Sequence, residues 1–172
     1  MNKTLLFLLL FSLPPLTAQD EFDHARSGDL EALKTLINAE PDLAHSTNEQ
    51  GYSPLILACY YDQTEVVSYL LDSCQVDINA GSGMGTALMA AAVKRNTDLG
   101  LLLLSHDADP NLTDANGATA LHYATMFQLE ELIAALVAAA ADPNIKDKTG
   151  KSPMDYAVMH NNHNILNLFK TQ

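Results

Sequence analysis

The sequence predicts an all-α solenoid of about five helix-turn-helix units with short β-hairpin-like fingers, on three observations. Leu55, Leu88, Leu121 and Met154 recur at a step of 33 residues, and Ala58, Ala91, Ala124 and Ala157 keep the same step. Ser53, Thr86, Thr119 and Ser152 share that frame, each directly before Pro54, Ala87, Ala120 or Pro153. A second apolar block also keeps step: Val66-Val67, Leu99-Gly100, Leu132-Ile133 and Ile165-Leu166. Several residue classes repeating in one frame mark an array of identical supersecondary units.

The N-terminal segment is set apart from the array. Met1-Asn2-Lys3 is a short positive start, Thr4 to Leu13 is apolar apart from Thr4 and Ser12, and Pro14-Pro15 ends the run. This is the layout of a secretory signal peptide over residues 1–18, with cleavage expected after Ala18. The run is shorter than the roughly 20 residues a membrane span needs, so no stable insertion follows cleavage. No cysteine lies near that point, which excludes a lipid anchor there. The expected location is therefore periplasmic or secreted.

Within each unit, the hydroxyl residue starts the first helix by capping free N–H groups, and proline suits the first helical position. The second helix carries apolar pairs four residues apart, as in Leu132-Ile133 with Leu136-Val137, which makes one apolar stripe. Helices this short are marginal alone, so neighbouring units must bury each other's stripes. The units run over 20–47, 48–80, 81–113, 114–146 and 147–172 within a domain of residues 20–172. The first is an N-terminal cap whose first helix is polar, with Asp20, Glu21, Asp23 and Arg26 expected to face water. The last is a C-terminal cap, where Lys170 replaces the second apolar residue of its pair. Met84 replaces the usual glycine of its finger, so that tip is expected to be irregular. Gly100 weakens its helix by about 1 kcal/mol of propensity. Ala140 stands where glycine commonly ends a helix and would be strained in a left-handed conformation.

Gly117-Ala118-Thr119-Ala120-Leu121-His122-Tyr123-Ala124 resembles the ankyrin signature Gly-x-Thr-Pro-Leu-His-x-Ala, and Gly51-Tyr52-Ser53-Pro54-Leu55 and Gly150-Lys151-Ser152-Pro153-Met154 are similar. The resemblance implies a protein-binding module that uses its concave side, formed by finger tips and the exposed flank of each first helix. Carried onto this chain, the helix row is Tyr60, Tyr61, Val93, Lys94, Met126, Phe127, Met159 and His160, with Tyr52 and Gln50 in the finger row. Aromatic and methionine side chains supply rigid or adaptable contact area, and an exposed stripe of them marks interaction sites. The alternative is that they fold over neighbouring helices. The family position of His122 implies a role in hydrogen bonding between units rather than in catalysis.

Chemistry beyond binding finds little support. His160 and His163 stand three apart in an asparagine-rich turn with no acidic or cysteine ligand beside them, so no metal and no cofactor is expected. Cys59 and Cys74 fall at opposite ends of an antiparallel helix pair, too far apart for a disulfide. Gly81-Ser82-Gly83-Met84-Gly85 lacks the lysine of a phosphate loop. With Lys3 removed, 8 basic side chains face 21 acidic ones, a formal charge of −13 that repels nucleic acid. The chain is expected to be a monomer, not an enzyme. Exported bacterial ankyrin-like proteins, which it resembles, include one that supports a periplasmic catalase in peroxide defence. A toxin-neutralising immunity protein and a secreted effector acting on host proteins are the alternatives.

Overall fold

The computed structural model describes residues 20–170, so the expected signal segment, residues 1–18, lies outside the described residues. Two layers of antiparallel helices run along the chain. The first helix of each unit is α1 (Asp20–Ser27), α3 (Pro54–Tyr60), α5 (Ala87–Val93), α7 (Ala120–Met126) and α9 (Pro153–Met159). The second is α2 (Leu30–Ala39), α4 (Thr64–Ser73), α6 (Thr97–Ser105), α8 (Glu130–Ala138) and α10 (His163–Phe169), with a 3-10 turn at Pro41–His45. Two short strands, β1 (Gly81–Ser82) and β2 (Gly85–Thr86), pair antiparallel ahead of α5. No helix among the described residues is long and apolar enough to cross a membrane.

Side-chain oxygens start the first helices. Ser53 Oγ accepts from the Ile56 amide (3.2 Å), Thr86 Oγ1 from Met89 (3.4 Å), Thr119 Oγ1 from His122 (3.4 Å) and Ser152 Oγ from Asp155 (3.2 Å). Each of these helices ends on a tight corner with one residue in the left-handed region: Gly28, Asp62, Arg95, Gln128 and Asn161. That residue swings the next amide back onto the helix. Gln63 N–H donates to Ala58 O (2.8 Å), Asn96 to Ala91 O (3.0 Å), Leu129 to Ala124 O (2.9 Å) and Asn162 to Ala157 O (3.2 Å). Second helices end the same way at Gln75, Asp107 and Ala140, the last with φ +62°. Left-handed backbone costs an ordinary L-residue about 1–2 kcal/mol, so the strain expected at Ala140 is present.

The core is a ladder of leucines and alanines. Val66, Leu99, Leu132 and Ile165 are fully buried, as are Leu70, Leu103 and Leu136. Ala58, Ala91, Ala124 and Ala157 form a fully buried column between successive first helices. Gly100 has a packing reason: a Cβ there would lie 2.6 Å from Cδ1 of buried Leu132. Thr125 is fully buried, and its hydroxyl finds no hydrogen-bond partner among the described residues. Cys59 and Cys74 are free thiols; burial, and then the charge of Asp62, pushes Cys59 far up, which leaves it an inert apolar group. Phe169 is buried and Lys170 exposed at the C-terminal end.

One expectation for the N-terminal cap is corrected. Glu21 does not face water: it is buried with Phe22 and Ala25, and Ser46 Oγ donates to its carboxylate at 3.0 Å. A carboxylate in the first turn of a helix lies beside free amides and the positive end of the helix dipole, which favours it there.

The fingers are held by carboxylate struts. Asp114 Oδ1 accepts from the amides of Asn116 (2.8 Å) and Ala118 (2.9 Å), while Tyr123 OH donates to its Oδ2 at 2.6 Å. Asp147 repeats this, with the amides of Thr149 (2.8 Å) and Lys151 (3.1 Å) and the Tyr156 hydroxyl (2.8 Å). Asn48 closes the first finger through the amides of Gln50 (3.0 Å) and Tyr52 (2.9 Å). Gly81 has no such side chain, and its finger closes by the pairings Gly81 with Thr86 and Ser82 with Gly85. Its tip does depart from the others: they use left-handed Gly51, Gly117 and Gly150, whereas here Gly85 takes positive φ one residue later. Fingers also stack, as Ala115 N–H donates to Gly83 O (3.1 Å) and Lys148 N–H to Asn116 O (2.8 Å).

His122 ties the last two units together. Its Nδ1 accepts from the Thr119 amide (3.0 Å), which leaves Nε2–H to donate to Lys151 O at 3.2 Å. Burial holds this imidazole below its usual pKa, against the opposing pull of the Lys151 carbonyl and of Asp147 and Asp114.

Three outcomes follow for stability. Ala140→Gly relieves the left-handed strain and gains about 0.5–1 kcal/mol, whereas Ala134→Gly inside α8 loses about 1 kcal/mol; paired thermal melts measure both. Thr125→Val removes a buried unpaired hydroxyl and gains about 1 kcal/mol in urea unfolding. Stability falls at both ends of the pH scale. Burial opposes the charge on Asp147, but Thr149, Tyr156 and two backbone amides outweigh it and hold the carboxyl at about 2, so its contribution disappears as pH drops from 3.8 towards 2. Burial and then Asp114 push the Tyr123 phenol to about 12, so its contribution is lost as pH rises from 10 towards 12. His122, lowered from 6.5, adds a loss as pH falls through that value. Asp147→Asn flattens the acid limb and Tyr123→Phe the alkaline limb of a plot of urea midpoint against pH.

Candidate functional site

Consecutive first helices pack closely because small residues separate them, and their flanks form one wall of a concave surface beneath the fingers. Between α3, α5 and the first two fingers this surface deepens into a groove of 480 Å³. Its floor is Ile56, Leu57 and Ala90, and its walls are largely aromatic. Tyr60 ends α3 and Tyr61 follows it; their rings meet edge to face with centroids 5.4 Å apart. Both remain exposed, at 43% and 44%, just before the left-handed turn at Asp62. Met84 hangs from the second finger at 69% exposure, the largest value among the exposed large hydrophobics.

Four of the residues expected from sequence converge here: Tyr52, Tyr60, Tyr61 and Val93, together with Gln50. Lys94 stands at the rim with its Nζ 5.0 Å from the Tyr60 ring centroid, and beside Arg95 it lines a second, polar depression of 390 Å³. Phe127 is half-buried beneath Arg95, whose guanidinium lies 4.4 Å from the ring centroid. Met126 is exposed on the following unit. Met159 and His160 are exposed on the last one, outside the groove. The expected row is thus divided, with its deep part at repeats two and three. His160 and His163 assemble no metal cage: among the described residues no cluster of three or more His, Cys, Asp or Glu forms one.

Arg26, Met84 and Tyr123 also line the groove, although none of them belongs to the expected binding rows. The displaced finger glycine was a signal for Met84, since a side chain at a finger tip has nothing to pack against within its own finger. Arg26 reaches the site from the cap unit and lies 5.7 Å from the Tyr61 ring centroid. Its assignment to a water-facing cap gave no hint of that. Tyr123 is turned toward the finger by its bond to Asp114, and burial followed by that carboxylate keeps it a neutral donor.

The chain matches a family described as ankyrin repeats, three copies, over residues 22–114 and again over 88–171. Palmitoyltransferase akr1 of Neurospora crassa is 29% identical over 117 residues, which are 67% of this chain and 16% of that protein. A probable E3 ubiquitin-protein ligase of Oryza sativa subsp. japonica, XBOS32, is 38% identical over 105 residues, 59% of this chain and 21% of the relative. The ankyrin repeat protein YahD of Escherichia coli K12 is 33% identical over 111 residues, 60% of this chain and 54% of its own length. The chain therefore spans only part of each of these relatives. The paired helices, the capped signature and a match that extends over nearly all described residues agree: the chain belongs to the ankyrin-repeat family, whose repeats are protein-interaction scaffolds.

Proposed function

We propose that this chain is an exported binding module that captures a protein partner in the groove between α3, α5 and the first two fingers, with no reaction of its own. The observation that carries this is the contrast in burial. A chain that completely covers Leu70, Leu99, Leu103, Leu121, Leu132 and Leu136 leaves Tyr60, Tyr61 and Met84 open around one cavity. Aromatic and methionine anchors gathered in a concavity have the composition of an interface centre. Export rests on the pattern of residues 1–18. Support of a periplasmic enzyme, a catalase for instance, is the finer form of the proposal and rests on the resemblance to exported ankyrin-like proteins.

The mature chain recovered from the periplasm should begin near Gln19 by intact mass, and full-length protein confined to the cytoplasm would overturn the export. For the groove, a photo-crosslinking residue is placed at Met84 or, as a control on the outer layer, at exposed Glu131. With periplasmic extract, Met84 is expected to give one dominant protein adduct and Glu131 none. Tyr60→Ala with Tyr61→Ala should weaken capture about fivefold or more while the melting temperature moves by only a few degrees. Crosslinks from Glu131 alone, or full capture by the double variant, would move the site elsewhere.

A further inference from the structure

The lining of the groove is chemically one-sided. Its charged member is Arg26, its other polar members are Asn48, Gln50, Thr86 and tyrosine hydroxyls, and it contains no carboxylate. This occurs in a chain with 21 acidic side chains against 9 basic ones. At random, a lining of this size would have carried acids before bases.

The bases continue along the rim. Lys94 and Arg95 follow Val93 directly, each placed over an aromatic ring, Tyr60 and Phe127 respectively. Asp62 and Asp98 line the same depression as these two cations, yet neither forms an ion pair with them, and Asp62 instead accepts from the Asn96 amide group at 3.0 Å. Further along the concave side Lys151 lies over Tyr156 at 5.6 Å. Arg26 is bound to Asp23 at 2.6 Å, but that pair is exposed and uses one guanidinium nitrogen. An exposed pair of this kind is worth about 1 kcal/mol or less, so a second carboxylate has both charge and free donors to meet.

Resting on the groove as the binding site, we propose that its occupant is an extended acidic segment of the partner protein. An apolar side chain of that segment enters between Tyr60, Tyr61, Met84 and Val93. A carboxylate before it meets Arg26, and one after it meets Lys94 and Arg95. The rest of this strongly acidic chain repels the same segment, which confines it to the concave side. A basic partner is attracted by most of the surface and meets cations here, so this groove selects against it.

The test uses the mature chain and three labelled peptides of about ten residues, which reach roughly 35 Å in extended form. Each has a central leucine pair flanked by glutamate, glutamine or lysine, and binding is read by fluorescence anisotropy. The expected order of affinity is glutamate, glutamine, lysine, with the glutamate peptide weakened when salt is raised from about 0.05 to 0.5 M. Lys94→Gln with Arg95→Gln should weaken the glutamate peptide about fivefold or more and leave the glutamine peptide unchanged. Tyr61→Ala should weaken both. Lysine equal to or tighter than glutamate, salt independence, or binding of none of the three overturns the acidic-segment proposal. A Met84 crosslink to a partner that persists beside any of those results keeps the groove and removes only its charge preference. Concentration-dependent self-association lost in Tyr60→Ala would make the occupant a second copy and also overturns the proposal.

Discussion

Successive first helices lie against one another across a column of alanines, and most of the molecule's shape follows from how little room that column takes. Ala58, Ala91, Ala124 and Ala157 have no exposed surface, and the corner after each helix returns an amide to the carbonyl of the same alanine. A larger side chain there would separate the helices and break the corner at once. No unit can satisfy this arrangement alone, because the other side of each alanine is the next unit's helix. Stability is therefore a property of neighbours, as in any array whose units bury their apolar faces only on each other.

Close inner helices and bulkier leucines in the outer layer curve the stack, with the inner helices on the concave side. The curve brings side chains from four units toward one cavity, Tyr123 of the fourth among them. Arg26 of the first, Tyr60 and Tyr61 of the second and Val93 of the third thereby share a cavity, although they stand two full repeat periods apart in sequence. The fingers complete the cavity, and their rigidity has an electrostatic origin. Asp114 and Asp147 each turn one oxygen to backbone amides of the finger and the other to a tyrosine of the helix below. The first two fingers lack this strut, Asn48 closing one and strand pairing the other. The fingers above the groove are thus less tightly bound to their helices than those at the far end.

Much of this is legible in the sequence, and the legible part is local. A hydroxyl before proline or alanine states where a helix begins, and a pair of apolar residues four apart states which side it buries. His122 was placed by its frame and indeed links two units. The strain at Ala140 was visible because a left-handed corner has few chemical solutions. What escaped depends on distance in sequence. Glu21 looked like a solvated charge and is buried, because its environment is made by the 3-10 turn and Ser46, 25 residues on. The finger with Met84 differs at its tip as expected, yet it is also the one that pairs as strands, since removing the Asx side chain leaves backbone pairing as the closure.

Charge distribution carries the same lesson from composition to function. A formal charge of −12 describes the whole chain and invites a basic partner. The structure shows that none of the acids lines the groove, whose charged member is Arg26. Cations placed over aromatic faces there do two things at once: they pin the rings in position and hold positive charge at the rim. Arg26 does so with an exposed partner in Asp23, and Lys94 and Arg95 without an ion pair to the Asp62 and Asp98 beside them. Aromatic rings fixed by a cation lose less freedom on binding than free ones would, so the surface is partly organised before a partner arrives. Net charge governs how the chain behaves at long range, whereas the few bases around Tyr60 and Phe127 govern what rests against it.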